Sequence, residues 1–320
     1  MGKLNKHLTK IIEKYKVKVI DIINNKNSVI NKKISKIFVI NLIHDTEKRN
    51  YIITLLSKFN INYSLVIVNY IPDQLFNTIY NSTKLLITKY ELGCCVSHLW
   101  CLNQIILNNY KNALILEDDI ILHKNFENRL INIVESKPKI DFLLLGAHDF
   151  FFSECNYQNV KDKLYKPDKK SKKLYGAHAN YYSLNGAKRQ YYIRCSEIGF
   201  FDKEYNLMFN YLDESYICYP NLVVSNVCTS SLNHEKKLGS DLEKDYYHRC
   251  FINFNFNKYH FIYIHIFKDI DIKDTDTYKS YIARCLYSHV NDFNKISEIA
   301  NRLDYDFFKI DDIKAIKNKS

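Results

Sequence analysis

Short apolar runs alternating with amphipathic stretches set the frame of this chain. Ile37-Phe38-Val39-Ile40-Asn41-Leu42 is a compact apolar run that predicts a buried strand. From Thr46 to Phe59, Tyr51, Ile52, Leu55, Leu56 and Phe59 recur on one face at helical spacing, and Tyr63 to Val68 reads as a second strand. Thr88-Lys89-Tyr90-Glu91 has the form of a capping box, in which a Thr side chain and a Glu three positions later satisfy each other's free backbone N–H. A long helix should start there, with Leu92, Cys95, Val96, Leu99, Leu102 and Ile106 on its apolar face, ending near Asn108-Asn109. The run Ala113-Leu114-Ile115-Leu116 predicts another buried strand, followed by a helix from Asn125 to Ser136 and a strand from Asp141 to Leu145. This β/α alternation predicts a parallel sheet with helices on its faces.

The pattern is less regular outside that core. Leu174 to Leu184 reads as a strand, with Asn185-Gly186-Ala187 turning into a short helix, and Cys218 to Val224 suggests a late strand. Gly146-Ala147-His148 should end its strand at the same sheet edge as the acidic stretch described below. Residues Leu4 to Val29 carry Leu8, Ile11, Ile12, Tyr15, Val19 and Ile22 at roughly helical spacing in a basic background, as an appended helix or a mobile arm. Tyr259 to Phe267 fits a strand or a buried helix segment equally, and Tyr278 to Leu303 reads as helical. The expected organisation is a basic N-terminal arm or helix over 1–35, an α/β domain over 36–240, and a mostly helical, aromatic C-terminal extension over 241–320.

Composition adds bounds. A chain of 320 residues with 47% hydrophobic and 25% charged residues belongs to the globular class, and 7 Gly and 4 Pro leave little room for linkers. The formal charge of +11 concentrates in the N-terminal arm and in Lys161 to Lys173, without an aromatic-interleaved helix. Such a charge fits a binder of nucleic acid or of an anionic surface, and a genome poor in G and C explains it equally well; with no recognisable nucleic-acid motif, sequence-specific nucleic-acid binding is not expected. Nine Cys without a Cys-x-x-Cys spacing suggest reduced thiols rather than a disulfide framework. No apolar run approaches the roughly 18 residues of a membrane helix, and no signal-peptide h-region precedes the core, so a cytoplasmic location is expected.

The chemistry gathers at Leu116-Glu117-Asp118-Asp119, where the apolar run ends in three adjacent carboxylates. If the strand continues through them, Glu117 and Asp119 share one face and Asp118 takes the other. Paired carboxylates repel, and a hard divalent cation such as Mg²⁺ or Mn²⁺ relieves that repulsion while keeping positions open for phosphate oxygens. An ordinary solvated acidic loop is the alternative. Ser97 and His98 are neighbours on the capped helix and diverge by about 100 degrees, so they make no nucleophile pair. The basic stretch from Cys155 to Lys173 is either a solvated loop or a lid over an anionic donor.

Taken in order, Val39-Ile40-Asn41-Leu42 with Arg49, Glu91-Leu92-Gly93-Cys94 leading to Ser97-His98-Leu99, Leu116-Glu117-Asp118-Asp119, and Tyr182-Ser183 followed by Gly186-Ala187 resemble glycosyltransferase family 25. That family includes lipooligosaccharide and procollagen galactosyltransferases. The resemblance runs from about Lys36 to Leu232. It implies a GT-A type fold, a Rossmann-like α/β/α sandwich, and inverting transfer of galactose or glucose from a UDP-sugar to a glycan or hydroxylysine-type hydroxyl. Glu117-Asp118-Asp119 would then play the part of an Asp-x-Asp motif, with Glu117 and Asp119 as metal ligands and Asp118 among the donor contacts. Asn41, Leu42, Glu91, Ser97 and His98 would line the donor pocket, and Arg49 would touch the diphosphate or brace the fold. Asp202 is the candidate general base with Asp213 in reserve, and His234 is a candidate late metal ligand, with His178 and His148 as weaker ones. The sequence chooses neither acceptor nor oligomeric state. The competing readings are a catalytically silent binding member of the same fold and a metal-dependent nuclease or phosphohydrolase.

Overall fold

A computed structural model of the chain describes residues 12, 15, 17–83, 88–123, 125–137, 139–146, 158–160, 164–166, 176–196, 201, 205–218, 222–225 and 259–260. The strands are β1 (Val17–Ile22), β2 (Lys36–Leu42), β3 (Tyr63–Val68), β4 (Asn112–Glu117), β5 (Ile120–His123), β6 (Phe142–Leu144), β7 (Gln158–Val160), β8 (Leu164–Lys166), β9 (Ala179–Ser183), β10 (Ser215–Cys218), β11 (Val223–Ser225) and β12 (Tyr259–His260). The helices are α1 (Val29–Lys33), α2 (Thr46–Lys58), α3 (Asp73–Thr83), α4 (Lys89–Leu107), α5 (Phe126–Ser136), α6 (Leu184–Ser196) and α7 (Tyr205–Tyr211).

Among the described residues, the main sheet runs β1-β3-β2-β4-β9-β6-β10-β8-β7. Strands β3, β2 and β4 are mutually parallel, as are β6 and β10. Antiparallel β9 separates the two groups, so β6 and β10 point the same way as β4. The sheet is buried on both faces because its strands alternate between two apolar clusters. Phe38, Ile40, Val66, Ala113, Ile115 and Phe142 join Leu92, Cys95, Val96 and Leu99 of α4 on one side. Val39, Leu65, Leu114, Leu116 and Leu143 join Ile52, Leu55 and Leu56 of α2 and Leu130 of α5 on the other. The result is the expected three-layer α/β/α sandwich.

Most elements fall where the apolar pattern puts them, but the sheet is mixed rather than parallel, because β1 and β9 run antiparallel to their neighbours, and four further elements depart from the expectation. Val17–Ile22 is a strand rather than part of a helix: it pairs antiparallel with β3, covering the backbone groups of what would otherwise be an open edge. Its β-branched residues suit that role better than a helix interior. The acidic stretch does not continue as one strand, because β4 ends at Glu117 and Asp118-Asp119 form a turn into β5. The late strand divides into β10 and β11, which join different sheets. Finally, part of the basic stretch forms the hairpin β7–β8, laid against β10. Of the aromatic segment from Tyr259 to Phe267, the described Tyr259–His260 pairs with β5, and the remainder lies outside the described residues, as does Tyr278 to Leu303. The described cysteines 94, 95, 101, 195 and 218 are unbridged.

Candidate active site

The register that pairs Ile40 with Glu117 brings the carboxyl ends of β2 and β4 side by side. Open α/β sheets place ligands outside that edge. Strand alternation then sorts the polar residues. Leu116 faces α2, so Glu117 faces α4. There its Oε1 lies 2.9 Å from Nε2 of His98 and 3.6 Å from Sγ of Cys94. Burial works against the Glu117 charge, yet the hydrogen bond to His98 and the neighbouring charges hold its carboxyl below the usual range. A carboxylate only accepts, so Nε2 is the protonated nitrogen of His98.

On the α2 side, Asn41 Nδ2 donates to Asp118 Oδ2 at 2.6 Å. Lys48, on the first turn of α2, places Nζ 3.7 Å from Asp118, 3.8 Å from Asp119 and 3.4 Å from Asp45. Burial raises the pKa of both Asp118 and Asp119; Lys48 opposes the rise, and the neighbouring carboxylates add to it. Asp119 therefore does not rejoin Glu117 on a shared face, as an uninterrupted strand would require. The turn carries it to Lys48 beside Asp118. Its Oδ1 is buried and has no hydrogen-bond partner among the described residues. An orphaned oxygen in a pair of undercompensated carboxylates is a donor set suited to a hard divalent cation.

One cleft joins these groups. It has about 690 Å³ of open space, counting that shared with solvent, and its lining includes Asn41, Leu42, Lys48, Ser97, His98 and the three acids. At the end away from the acids it is walled by Tyr70, Ile71 and Tyr90. His44 stacks on Tyr70 with ring centroids 5.9 Å apart, and Tyr90 meets Tyr70 edge-on at 5.5 Å. Ser97 is anchored through Oγ to the Gly93 carbonyl at 2.7 Å.

A family model described as glycosyltransferase family 25 (LPS biosynthesis protein) matches residues 34–196, just over half of the 320 residues. The chain belongs to glycosyltransferase family 25. No curated protein matches it. Membership and the mixed sheet together give this family 25 protein a GT-A-like Rossmann fold and glycosyltransferase activity, with a sugar donor and an acceptor as its substrates. The matched span contains β2, α2, β3, α4 and β4, the elements whose residues line the cleft.

Other sequence candidates of this family 25 chain lie outside the cleft. Arg49 sits behind it: Nε donates to Asn41 Oδ1 at 2.7 Å, and the guanidinium reaches the Leu42 and Ile43 carbonyls at 3.2 and 2.6 Å. It braces the strand end that presents Asn41. The Glu91 carboxylate completes the capping box, accepting from Thr88 N at 2.6 Å. Asp213 is displaced by topology: it precedes β10, which runs parallel to β4, so it lies at the opposite sheet edge from the cleft. His178 is buried beside the acidic strand end, its backbone carbonyl accepting from Glu117 N at 2.9 Å. Asp202, His234 and His148 lie outside the described residues. Lys48, Tyr70 and Tyr90 were absent from the sequence expectations. For Lys48 a signal existed, since a Lys in the first turn of a helix opposes the macrodipole and needs a local reason. Among the described residues, no helix is long and apolar enough to cross a membrane.

Proposed function

We propose that this protein transfers a hexose, galactose or glucose, from a UDP-sugar to a hydroxyl on a glycan or a hydroxylysine-type side chain, with inversion and with Mn²⁺ or Mg²⁺ as cofactor. The observation that carries this reading is the cleft itself, which has an aromatic wall at one end and a buried carboxylate pair with a lysine at the other. A nucleobase stacks well on Tyr70 and Tyr90, while the diphosphate end needs positive charge near Asp118 and Asp119. Those two carboxylates are the proposed cation ligands, and a cation held there would supply charge stabilisation to the departing UDP. Lys48 supplies a fixed second positive charge to the same phosphates, and Asn41 holds Asp118 in place. Asp202 is the proposed base for the acceptor hydroxyl; its neighbour Phe201 stacks on His98 with centroids 4.3 Å apart.

The test is UDP release across a panel of nucleotide-sugars and hydroxyl acceptors, with and without Mn²⁺. Asp119→Asn should abolish transfer and donor hydrolysis, and Asp202→Asn should lose transfer while still binding UDP. A folded Asp119→Asn protein that keeps its transferase rate refutes the assignment.

A further inference from the structure

The face of α4 beneath the acidic strand end carries a second donor cluster that the transfer reaction does not use. Cys94 and His98 are four residues apart in α4, so they project from successive turns on one side. Glu117 reaches them from β4, and the ligand atoms of the three residues lie within 4.8 Å of one another. Tetrahedral coordination at ordinary zinc bond lengths puts N···O and S···O edges at about 3.3–3.5 Å. The observed edges are 2.9 Å for His98 Nε2 to Glu117 Oε1 and 3.6 Å for Cys94 Sγ to the same oxygen. Small side-chain rotations would open the first edge to coordination distance.

We propose that Cys94, His98 and Glu117 form a cation site selective for borderline-soft divalent ions such as Zn²⁺ or Co²⁺. A thiolate and an imidazole favour such ions over Mg²⁺ or Ca²⁺. The site differs in its donor set from Asp118 and Asp119, which line the same cleft as oxygen donors set against Lys48. Among the described residues, the ion-pair partner of Glu117 is His98 alone, so no fixed lysine or arginine charge competes for its carboxylate. Binding balances as follows: the Cys94 thiol loses its proton to solvent, and the proton on His98 Nε2 moves to Nδ1. That nitrogen is buried with no hydrogen-bond partner among the described residues, so the new N–H carries the cost of an unsatisfied buried donor, which metal coordination must exceed. The ring itself is held by its stack on Phe201, with planes 22° apart. Three protein ligands leave a fourth position, and all three residues line the cleft, so that position faces the donor and acceptor.

The experiment titrates the metal-stripped full chain with Co²⁺ and reads the near-ultraviolet thiolate-to-cobalt charge-transfer band. One equivalent should generate the band, and Zn²⁺ should erase it by competition. Cys94→Ser should remove the band, and both Cys94→Ser and His98→Gln should weaken Zn²⁺ binding by more than about a hundredfold, beyond the cost of losing an outer-shell partner. Circular dichroism checks that both variants fold. Asp119→Asn should keep the band intact, which separates this site from the cation proposed for sugar transfer: loss of transfer with the band retained supports both assignments. An Asp119→Asn protein that transfers sugar but keeps the band overturns the former assignment alone. The cation site is overturned if no band forms, if the band survives Cys94→Ser through other cysteines of the chain, or if Asp119→Asn abolishes it.

Discussion

Two glycines of the family motifs should respond in opposite directions to the same substitution. Gly186 lies in the first turn of α6, and a Cβ there would stand 1.8 Å from the Asp141 carbonyl oxygen and 2.8 Å from its carbon. Both atoms are backbone, so the helix and the start of β6 must separate by about 1.5 Å to regain ordinary contact. That movement pulls on a local network in which Ser183 N donates to Asp141 O at 3.0 Å, Ser183 Oγ to Asp141 Oδ1 at 2.7 Å, and Gly186 N to Ser183 Oγ at 3.0 Å. Overpacking of this kind costs about 1–3 kcal/mol, and each weakened hydrogen bond adds about 1 kcal/mol. Gly186→Ala should therefore destabilise by about 3–5 kcal/mol and lower the melting temperature by roughly 5–10 °C. Gly93 sits inside α4, where the nearest atom to an added Cβ is Ile71 Cγ1 at 3.8 Å, an ordinary contact. Gly93→Ala should thus stabilise by about 0.5–1 kcal/mol through helix propensity and reduced freedom of the unfolded chain. Urea midpoints of the two variants and the parent, in buffer without ligand, measure both effects. A Gly186→Ala loss below about 1 kcal/mol, or a Gly93→Ala loss of similar size, would refute the packing argument.

Lys48→Met should destabilise the protein at pH 8 by about 3 kcal/mol, because buried Asp118 and Asp119 lose their counter-charge. The sign follows from their raised pKa values: the folded state binds protons that the unfolded state releases, so the penalty should shrink as pH falls towards 5 and the carboxylates protonate. Differential scanning at both pH values, with and without Mn²⁺, checks this; a penalty equal at both, or no larger Mn²⁺ stabilisation than in the parent, counts against it. His178 is held neutral by burial, which pushes its pKa down from 6.5 to about 4. The unfolded state then binds the extra proton between those values, so stability should fall by up to about 3 kcal/mol as pH drops from 6.5 to 4. His178→Gln should flatten that arm of the stability profile, and an unchanged slope would point to other groups.

The sequence read well where side-chain period and burial agree. The runs at Lys36–Leu42, Tyr63–Val68 and Asn112–Glu117 are buried on both faces, and the Thr88 cap with Glu91 marks its helix by local chemistry alone. It read poorly where a turn breaks the period. Glu117 and Asp119 would share one face only on an extended backbone, and the chain reverses at Asp118-Asp119 instead. Val17–Ile22 carries apolar residues compatible with either period, and its strand conformation depends on the edge of β3, a partner more than forty residues away. No motif marks Lys48, whose first-turn position is the one local signal, because its contacts with Asp118 and Asp119 depend on β2 and β4 ending at the same level. Asp213 illustrates the converse: acid content suggested a base, while strand direction sends it to the far edge.

The strand pairings at the margins also bear on where the chain can be cut. A fragment beginning at residue 36 would strip β1 from the outer edge of β3, and one ending at residue 240 would remove β12 from the edge of β5. The second loss falls on the strand that leaves the acidic turn directly, two residues after Asp118. The N-terminal side reaches the cleft as well, since Tyr15 Oη donates to the Asn69 carbonyl at 2.7 Å and lies 3.5 Å from Ser97 Oγ. A fragment trimmed to the α/β core would therefore expose new backbone edges and lose the Tyr15 contacts with Asn69 and Ser97, two residues that line the cleft. Expression and assay are better carried out on the whole chain, with purification tags joined through a spacer ahead of Met1.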